Sequence, residues 1–289
     1  MQNLPVHFLE LIRRGSTVLP EDVRKALEEA VVREGESSSA GSTLKKMLEN
    51  AALARETSRP ICQDTGALLF YVDYGPEYRQ EQIETAVLDA TAQATARYYL
   101  RPNAVDPVTG RNSGNNIGRG LPSLHFHQVD EPGLTVRLLL KGGGSENVSA
   151  QYKLPDASLE AGRDLDGVRR VVLDAVFRAQ GKGCGPGTVG VGIGGDRGGS
   201  YMEAKEQLFR TIDDRNPDAA LADMEDRLSR ELNRLGIGPM GFGGRTTVLG
   251  VKIGTRHRHP ACFFVSIAYM CWACRRATMT VREGKVSYA

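Results

Sequence analysis

Five cysteines, Cys62, Cys184, Cys262, Cys271 and Cys274, are spread over the 289-residue chain, and three short motifs set cysteines among residues that could do chemistry. The motifs are Pro60-Ile61-Cys62-Gln63-Asp64-Thr65-Gly66, Gly183-Cys184-Gly185-Pro186-Gly187 and Met270-Cys271-Trp272-Ala273-Cys274-Arg275-Arg276. In each, the cysteine falls at the edge of a predicted strand or in a Gly/Pro turn, where backbone can approach closely and peptide N–H groups can point at inorganic sulfur. One such cysteine alone is more often a buried small hydrophobe. Three of them, one beside Gln63-Asp64 and one beside Arg275-Arg276, point instead to a metal or cluster site. Cys271-x-x-Cys274 by itself is compatible with zinc, a redox dithiol or a cluster. A thioredoxin-like dithiol should open a helix, whereas Arg275 to Val281 reads as a strand, and structural zinc wants a second closely spaced pair. Widely separated cysteines suit a cluster that gathers its ligands from distant loops.

Two other patterns carry less. Gly190-Val191-Gly192-Ile193-Gly194-Gly195 formally matches a dinucleotide-binding glycine run, but the glycines occupy the predicted strand itself instead of following it, so close backbone packing is the better reading. His125 and His127 share one face of a predicted strand without a third ligand nearby in sequence, and are read as ordinary surface or core residues.

The elements that must position these residues follow from periodicity and turn residues. Residues 20–57 read as helical, with Leu44, Met47, Leu48 and Ala51 on one face and Ser42 as N-cap. A strand is predicted over 67–72 and a long helix over 78–99. The stretch from Arg101 to Pro122 is rich in Asn, Gly and Pro, and a loop of about twenty residues exceeds ordinary connections and is most often functional. Residues 124–129 and 134–141 read as paired strands, 164–180 as a helix and 188–193 as a strand. Leu221, Met224, Leu228, Leu232 and Leu235 make one apolar stripe on a helix over 217–235. Strands over 247–253, 263–270 and 277–281 close the chain. No linker or repeat interrupts this order, which predicts one α+β domain over residues 1–289.

Composition narrows the function classes. Lys and Arg number 37 against 35 Asp and Glu, with the signs interspersed, so no nucleic-acid footprint is expected. The N-terminus Met1-Gln2-Asn3-Leu4-Pro5 lacks a basic and then apolar leader, and no apolar run approaches membrane-span length. An odd and sparse set of cysteines argues against a secreted disulfide scaffold. A cytoplasmic protein with reduced thiols, not bound to a membrane, is expected.

Taken in order, Cys62-Gln63-Asp64-Thr65-Gly66, Lys141-Gly142-Gly143-Gly144-Ser145, Gly190-Val191-Gly192-Ile193-Gly194, Leu235-Gly236-Ile237-Gly238-Pro239 and His259, twelve residues before Cys271, resemble the α-subunits of class I fumarases and of L-tartrate dehydratase. The resemblance runs from about Pro20 to the C-terminus. It implies a [4Fe-4S] cluster held by Cys62, Cys184 and Cys271, with one iron lacking a protein ligand. It leaves Cys262 as a core residue and Cys274 as a neighbour without a required role. It further implies that Arg101 grips a carboxylate of a small dicarboxylate substrate and that Gln63 and His259 hydrogen-bond that substrate. The backbone at Gly143 and Gly144 would lie against the substrate, and Asp64 would assist proton transfer. A three-thiolate cluster has an open iron suited to Lewis-acid chemistry, whereas four thiolates suit electron transfer.

The implied activity is hydration of fumarate to (S)-malate. Tartrate dehydration and hydration of a substituted fumarate such as mesaconate are the nearest rivals, and the glycine turn's Lys141 and Ser145 favour the fumarases. A non-catalytic zinc or cluster protein is the reading from another class, and it would not require Asp64, Arg101 and His259. Single-chain relatives carry a further domain after the matching segment, while this sequence stops at Ala289, so a separate β-subunit in an α2β2 assembly is expected.

Overall fold

The computed structural model describes residues 3–289; residues 1 and 2 of the N-terminal stretch read above lie outside them. In chain order the elements are α1 (Leu4–Thr17), α2 (Glu21–Glu34), α3 (Ser39–Thr57), β1 (Ala67–Tyr74), α4 (Gln80–Ala96), β2 (Ser123–Gln128), β3 (Leu134–Lys141), α5 (Gly143–Asn147), β4 (Ala150–Lys153), α6 (Leu165–Ala179), β5 (Gly187–Gly194), α7 (Arg197–Glu206), α8 (Ala219–Arg234), β6 (Val248–Arg256), β7 (Phe264–Met270), β8 (Arg276–Arg282) and β9 (Lys285–Tyr288). This is the α+β class expected from the sequence. The chain divides into two compact units, one built from the segment ending at Pro20 with Glu49–Gly143 and Arg275–Ala289, the other from Glu21–Leu48 and Gly144–Cys274.

In the first unit a five-stranded sheet has the order β2-β1-β3-β8-β9. β1 pairs parallel with β2 and antiparallel with β3, so α4 and the long loop after it carry the chain from β1 to β2. Strand alternation sends Phe70, Val72, Val136, Leu138, Leu140 and Met279 to one face. There they join Phe8, Leu11 and Ile12 of α1 and Ile83, Val87 and Ala90 of α4 in one core. Each Leu or Phe fully buried in this way contributes roughly 1.5–3 kcal/mol. Helix α1 is not among the expected elements; Pro5 stands in its first turn, where a missing N–H costs nothing.

The second unit holds a four-stranded sheet of order β4-β7-β5-β6, with β5 parallel to β6 and antiparallel to β7. Val189, Val191 and Ile193 of β5 enter a core with Val168, Val172 and Val176 of α6 and Leu221, Leu228 and Leu232 of α8. Asp218 caps α8, accepting from the N–H groups of Ala220 and Leu221 at 2.9 and 3.2 Å. On the other side of β5, Gly190 and Gly192 let α7 lie directly on the strand: a Cβ at either would come 2.1 Å from the carbonyl oxygen of Ala204 or Ser200. The glycine run is therefore a packing device, as its position inside a strand suggests.

Two expectations are corrected. Residues 20–57 are helical as expected, in two helices, but Ser42 lies inside α3; the capping side chain is Ser38, whose Oγ accepts from Gly41 N–H at 2.9 Å after Gly35 (φ +80) ends α2. β2 and β3 are not paired with each other, because β1 lies between them. The five-residue connection steps over the end of β1, with Val129 N–H bonded to Tyr74 O and Gly75 N–H to Gly133 O. Crossing two inter-strand spacings, roughly 10 Å, is within reach of five residues. Among the described residues no helix is long and apolar enough to cross a membrane.

Candidate functional site

The Cys62 motif bridges α3 and β1 in the first unit, and buried Ile61 fastens it: its N–H donates to Ser16 O at 2.9 Å and its carbonyl accepts from Asn50 Nδ2 at 2.8 Å. Cys62 and Asp64 are half-buried and Gln63 is exposed. The Asp64 carboxylate is held at both oxygens, Oδ1 accepting from Gly66 N–H at 3.0 Å and Oδ2 from Gly143 N–H at 2.7 Å. Buried Arg275 donates through Nη1 to the Asp64 carbonyl. Gly66 has φ +78, and a Cβ there would meet the Lys141 backbone at 2.8 Å, so only glycine fits where the motif enters β1.

A polar network joins this motif to the long loop. Thr65, fully buried, accepts at Oγ1 from Arg101 N–H at 3.1 Å and from Asn103 Nδ2 at 2.9 Å. Asn116, buried and at φ +63, accepts from Asn103 N–H at 2.7 Å and donates to Arg101 O and Thr95 Oγ1 at 2.8 and 2.9 Å. The backbone of Arg101 is thus held on both sides while its side chain stays exposed. Sequence reasoning did not single out Asn103, Asn116 or Thr65 as positioning residues; their signal was the density of Asn in a loop too long to be a plain connection.

In the second unit Cys184 and Cys271 come together through the backbone. The Cys184 carbonyl accepts from Trp272 N–H at 3.0 Å, and the Cys271 carbonyl from Cys274 N–H at 3.0 Å. Cys184 adopts the left-handed conformation (φ 55) at the end of a short 3-10 turn, and both Cys184 and Cys271 are half-buried. Beside both stands Tyr269, 2% exposed, its phenol pushed above its ordinary pKa by burial and by the neighbouring Cys271 and Cys184. The glycines of Gly183-Cys184-Gly185-Pro186-Gly187 rest on that ring: a Cβ would stand 2.5 Å from Cε1 at Gly183, 3.0 Å from the hydroxyl at Gly185 and 2.3 Å from Cζ at Gly187. Tyr269 was not singled out, because a tyrosine inside an apolar strand reads as core.

The remaining residues are placed as follows. Gly143 and Gly144 are exposed at the start of α5, with the Gly143 N–H engaged by Asp64. His259 is exposed in the turn between β6 and β7; its Nδ1 accepts from Ala261 N–H at 3.1 Å, which leaves Nε2 to carry the proton in the neutral ring. Cys262, expected in the core, is half-buried in that same turn, and Cys274 is fully buried at φ 35. None of the five cysteines forms a disulfide. His125 stacks on Tyr71 at 4.6 Å and His127 bonds Asp73 at 3.2 Å, both within the first sheet. Among the described residues no three His, Cys, Asp or Glu side chains converge as ligands of a single metal ion. A cavity of about 690 Å³ in the first unit, between Leu4, Tyr78, Pro132 and Val286, touches none of the predicted site residues.

Comparison with known proteins bears directly on this arrangement. Residues 7–280 match the family described as fumarate hydratase (Fumerase). A Geobacillus stearothermophilus protein provisionally named fumarate hydratase class I is 50% identical over 96% of this chain, which spans 54% of that protein's length. A Methanocaldococcus jannaschii protein provisionally named L(+)-tartrate dehydratase subunit alpha is 36% identical over 95% of this chain and 96% of its own. The L(+)-tartrate dehydratase subunit alpha of Escherichia coli K12 is 32% identical over 92% of this chain and 86% of its own. The matched region contains all three cysteine motifs, Asp64, Arg101 and His259, and the chain belongs to the fumarate hydratase (Fumerase) family.

Proposed function

We propose that this chain is the cluster-binding α-type part of an iron–sulfur hydro-lyase that interconverts fumarate and (S)-malate together with a separate β-subunit. The observation that carries the reading is the family match over residues 7–280, joined to 50% identity with a protein provisionally named fumarate hydratase class I. The donor chemistry supports a [4Fe-4S] cluster on Cys62, Cys184 and Cys271: all three are thiols, half-buried, in loops fixed by backbone hydrogen bonds. Thiolates of such a cluster bind different irons, so they need not converge as ligands of one ion do. When bound, the cluster would supply a Lewis-acidic iron without a protein ligand. The reading carries with it a cytoplasmic setting in which thiols stay reduced.

The chain's own residues then have distinct tasks. Arg101, its backbone held by Thr65 and Asn116, presents a planar fork to a substrate carboxylate. Asp64, gripped at both oxygens by backbone N–H groups, is the proton-transfer carboxylate, kept in one orientation by Gly66 and Gly143. His259 donates to substrate through Nε2, Gln63 offers an exposed amide, and the Gly144 backbone borders the substrate. Trans addition of water needs groups on both faces of the substrate, and the β-subunit would furnish the second set. The names of the M. jannaschii and E. coli relatives, both subunit alpha, support that division.

Those same names favour a second reading, a tartrate dehydratase α-subunit. The test is to prepare the chain anaerobically, load it with iron and sulfide, and assay fumarate, malate, mesaconate and tartrate with and without the candidate β-subunit. Turnover of fumarate by the pair alone supports the proposal, and turnover of tartrate but not fumarate moves the assignment to the second reading. Full activity of the chain by itself would refute the two-subunit account.

A further inference from the structure

We infer that Tyr269 is a positioning residue that sets the spacing of Cys184 and Cys271, its ring serving as the rigid footing on which both cysteine loops stand. The inference rests on the reading that these two thiolates are ligands. Tyr269 stands in β7 two residues before Cys271, so the strand that carries the ring also launches the second cysteine. The first cysteine reaches the same ring from β5: Gly183, Gly185 and Gly187 are spaced so that each alternate residue lies within van der Waals contact of it, and each would clash or crowd as alanine. One hydrogen bond, Trp272 N–H to Cys184 O at 3.0 Å, then locks the loops to each other. The ring's backbone is itself tied down, Tyr269 N–H donating to Ser149 Oγ at 3.0 Å. An aromatic ring is one rigid plane that a close-packed interior holds in place, whereas a smaller Leu side chain would leave part of that surface without support. A cysteine in the left-handed conformation needs such over-determination, because Cys184 at φ 55 is disfavoured for any residue with a Cβ.

The contact at Gly185 gives a direct test. A Cβ there meets the Tyr269 hydroxyl at 3.0 Å and next the Thr247 carbonyl at 3.3 Å, and Gly185 does not have a positive φ, so alanine is resisted chiefly by the hydroxyl. The readout is cross-linking of the cluster-free full chain by dibromobimane, which becomes fluorescent when both arms have reacted, with the Cys184–Cys271 link identified by peptide mass spectrometry. Four proteins are compared: wild type, Gly185→Ala, Tyr269→Phe and the double variant. Tyr269→Phe should cross-link as wild type does. Gly185→Ala should cross-link more slowly by about tenfold or more, since misplacing reacting groups by about 1 Å can cost up to roughly 10²-fold. The double variant should recover toward Tyr269→Phe. Tyr269→Leu, folded by circular dichroism, should lose the link.

A double variant no better than Gly185→Ala, or wild-type cross-linking in Tyr269→Leu, overturns the inference. Iron and sulfide content after reconstitution should follow the same order across the variants. Absence of a cluster from the wild type, with the cross-linking pattern intact, would instead refute the cluster reading and leave Tyr269 as the footing of a thiol pair.

Discussion

The two units hold their functional loops by opposite means. In the first, the Cys62 motif and the Arg101 loop are joined by side-chain hydrogen bonds through Thr65, Asn103 and Asn116, with the Asp64 carboxylate fixed by two backbone N–H groups. In the second, the Cys184 and Cys271 loops are joined by glycines pressed on the Tyr269 ring and by backbone hydrogen bonds. A polar network fails when a partner is removed, because a buried donor or acceptor is left unsatisfied. A glycine bed fails when an atom is added, because a close-packed interior cannot absorb it. The contrast suits the proposed tasks: polar loops for a charged substrate and a mobile proton, a shape-matched bed for thiolates that must not move.

The largest expected effect falls on activity alone. Arg101→Lys should lower kcat/KM of the assembled enzyme by about 30-fold or more, some 2–5 kcal/mol of transition-state binding, because a point charge replaces a bidentate fork. The urea midpoint should stay at the wild-type value, since the exposed side chain is not part of the network that holds its backbone. Wild-type kinetics would remove Arg101 from the site.

Gly187→Ala should then separate the two units. Its Cβ would lie 2.3 Å from Cζ of Tyr269, and a cost of about 3 kcal/mol is expected for forcing ring or strand aside. Amide hydrogen exchange should accelerate in β5 and β7, with β1 and β3 unaffected. Equal acceleration in both sheets would mean that the units do not respond separately.

Asn116→Ala makes the reverse test. It strips an acceptor from Asn103 N–H and a donor from Arg101 O, and a loss of about 2 kcal/mol is expected in a urea titration, with faster exchange confined to the first unit. An unchanged midpoint would show that the network is decoration on a loop held by other means.

The smallest effect is an acid dependence in the second unit. Burial works to raise the Asp214 pKa, but hydrogen bonds and charge from Arg210 and Lys252 outweigh it and hold the carboxyl below its ordinary value. A depressed carboxyl contributes stability that is present above its unfolded pKa, about 3.9, and lost as pH falls through the lower folded value. Asp214→Asn should therefore lower the urea midpoint slightly at pH 7 and flatten its decline below about pH 4. An identical acid profile for variant and wild type would place the acid sensitivity elsewhere.

Much of this was legible in the sequence, for local reasons. The stripe of α8, the glycines inside β5 and the loop from Arg101 to Pro122 are each written in one continuous stretch of sequence, and the structure has them where expected. The order of motifs was enough to identify the family. What was not legible depends on segments distant in sequence. Residues 124–129 and 134–141 read as paired strands until β1 is seen to separate them, and Tyr269 looks like core until the glycines before β5 are laid on it. Ser42 reads as a cap because it precedes the apolar stripe of Leu44, Met47, Leu48 and Ala51, whereas the cap in the structure is Ser38, one turn earlier, where Gly35 ends the preceding helix. No boundary was visible between the units because each is assembled from interleaved segments, so neither begins or ends at a linker.

The central claim is that Cys62, Cys184 and Cys271 hold an iron–sulfur cluster, and its most direct test is metal and sulfide analysis of the anaerobically reconstituted chain beside single Cys→Ser variants. The account expects about four iron and four sulfide per chain in the wild type, lost in Cys62→Ser, Cys184→Ser and Cys271→Ser and largely kept in Cys262→Ser and Cys274→Ser. Stoichiometric zinc without sulfide, or a cluster that survives Cys62→Ser but not Cys274→Ser, would contradict it.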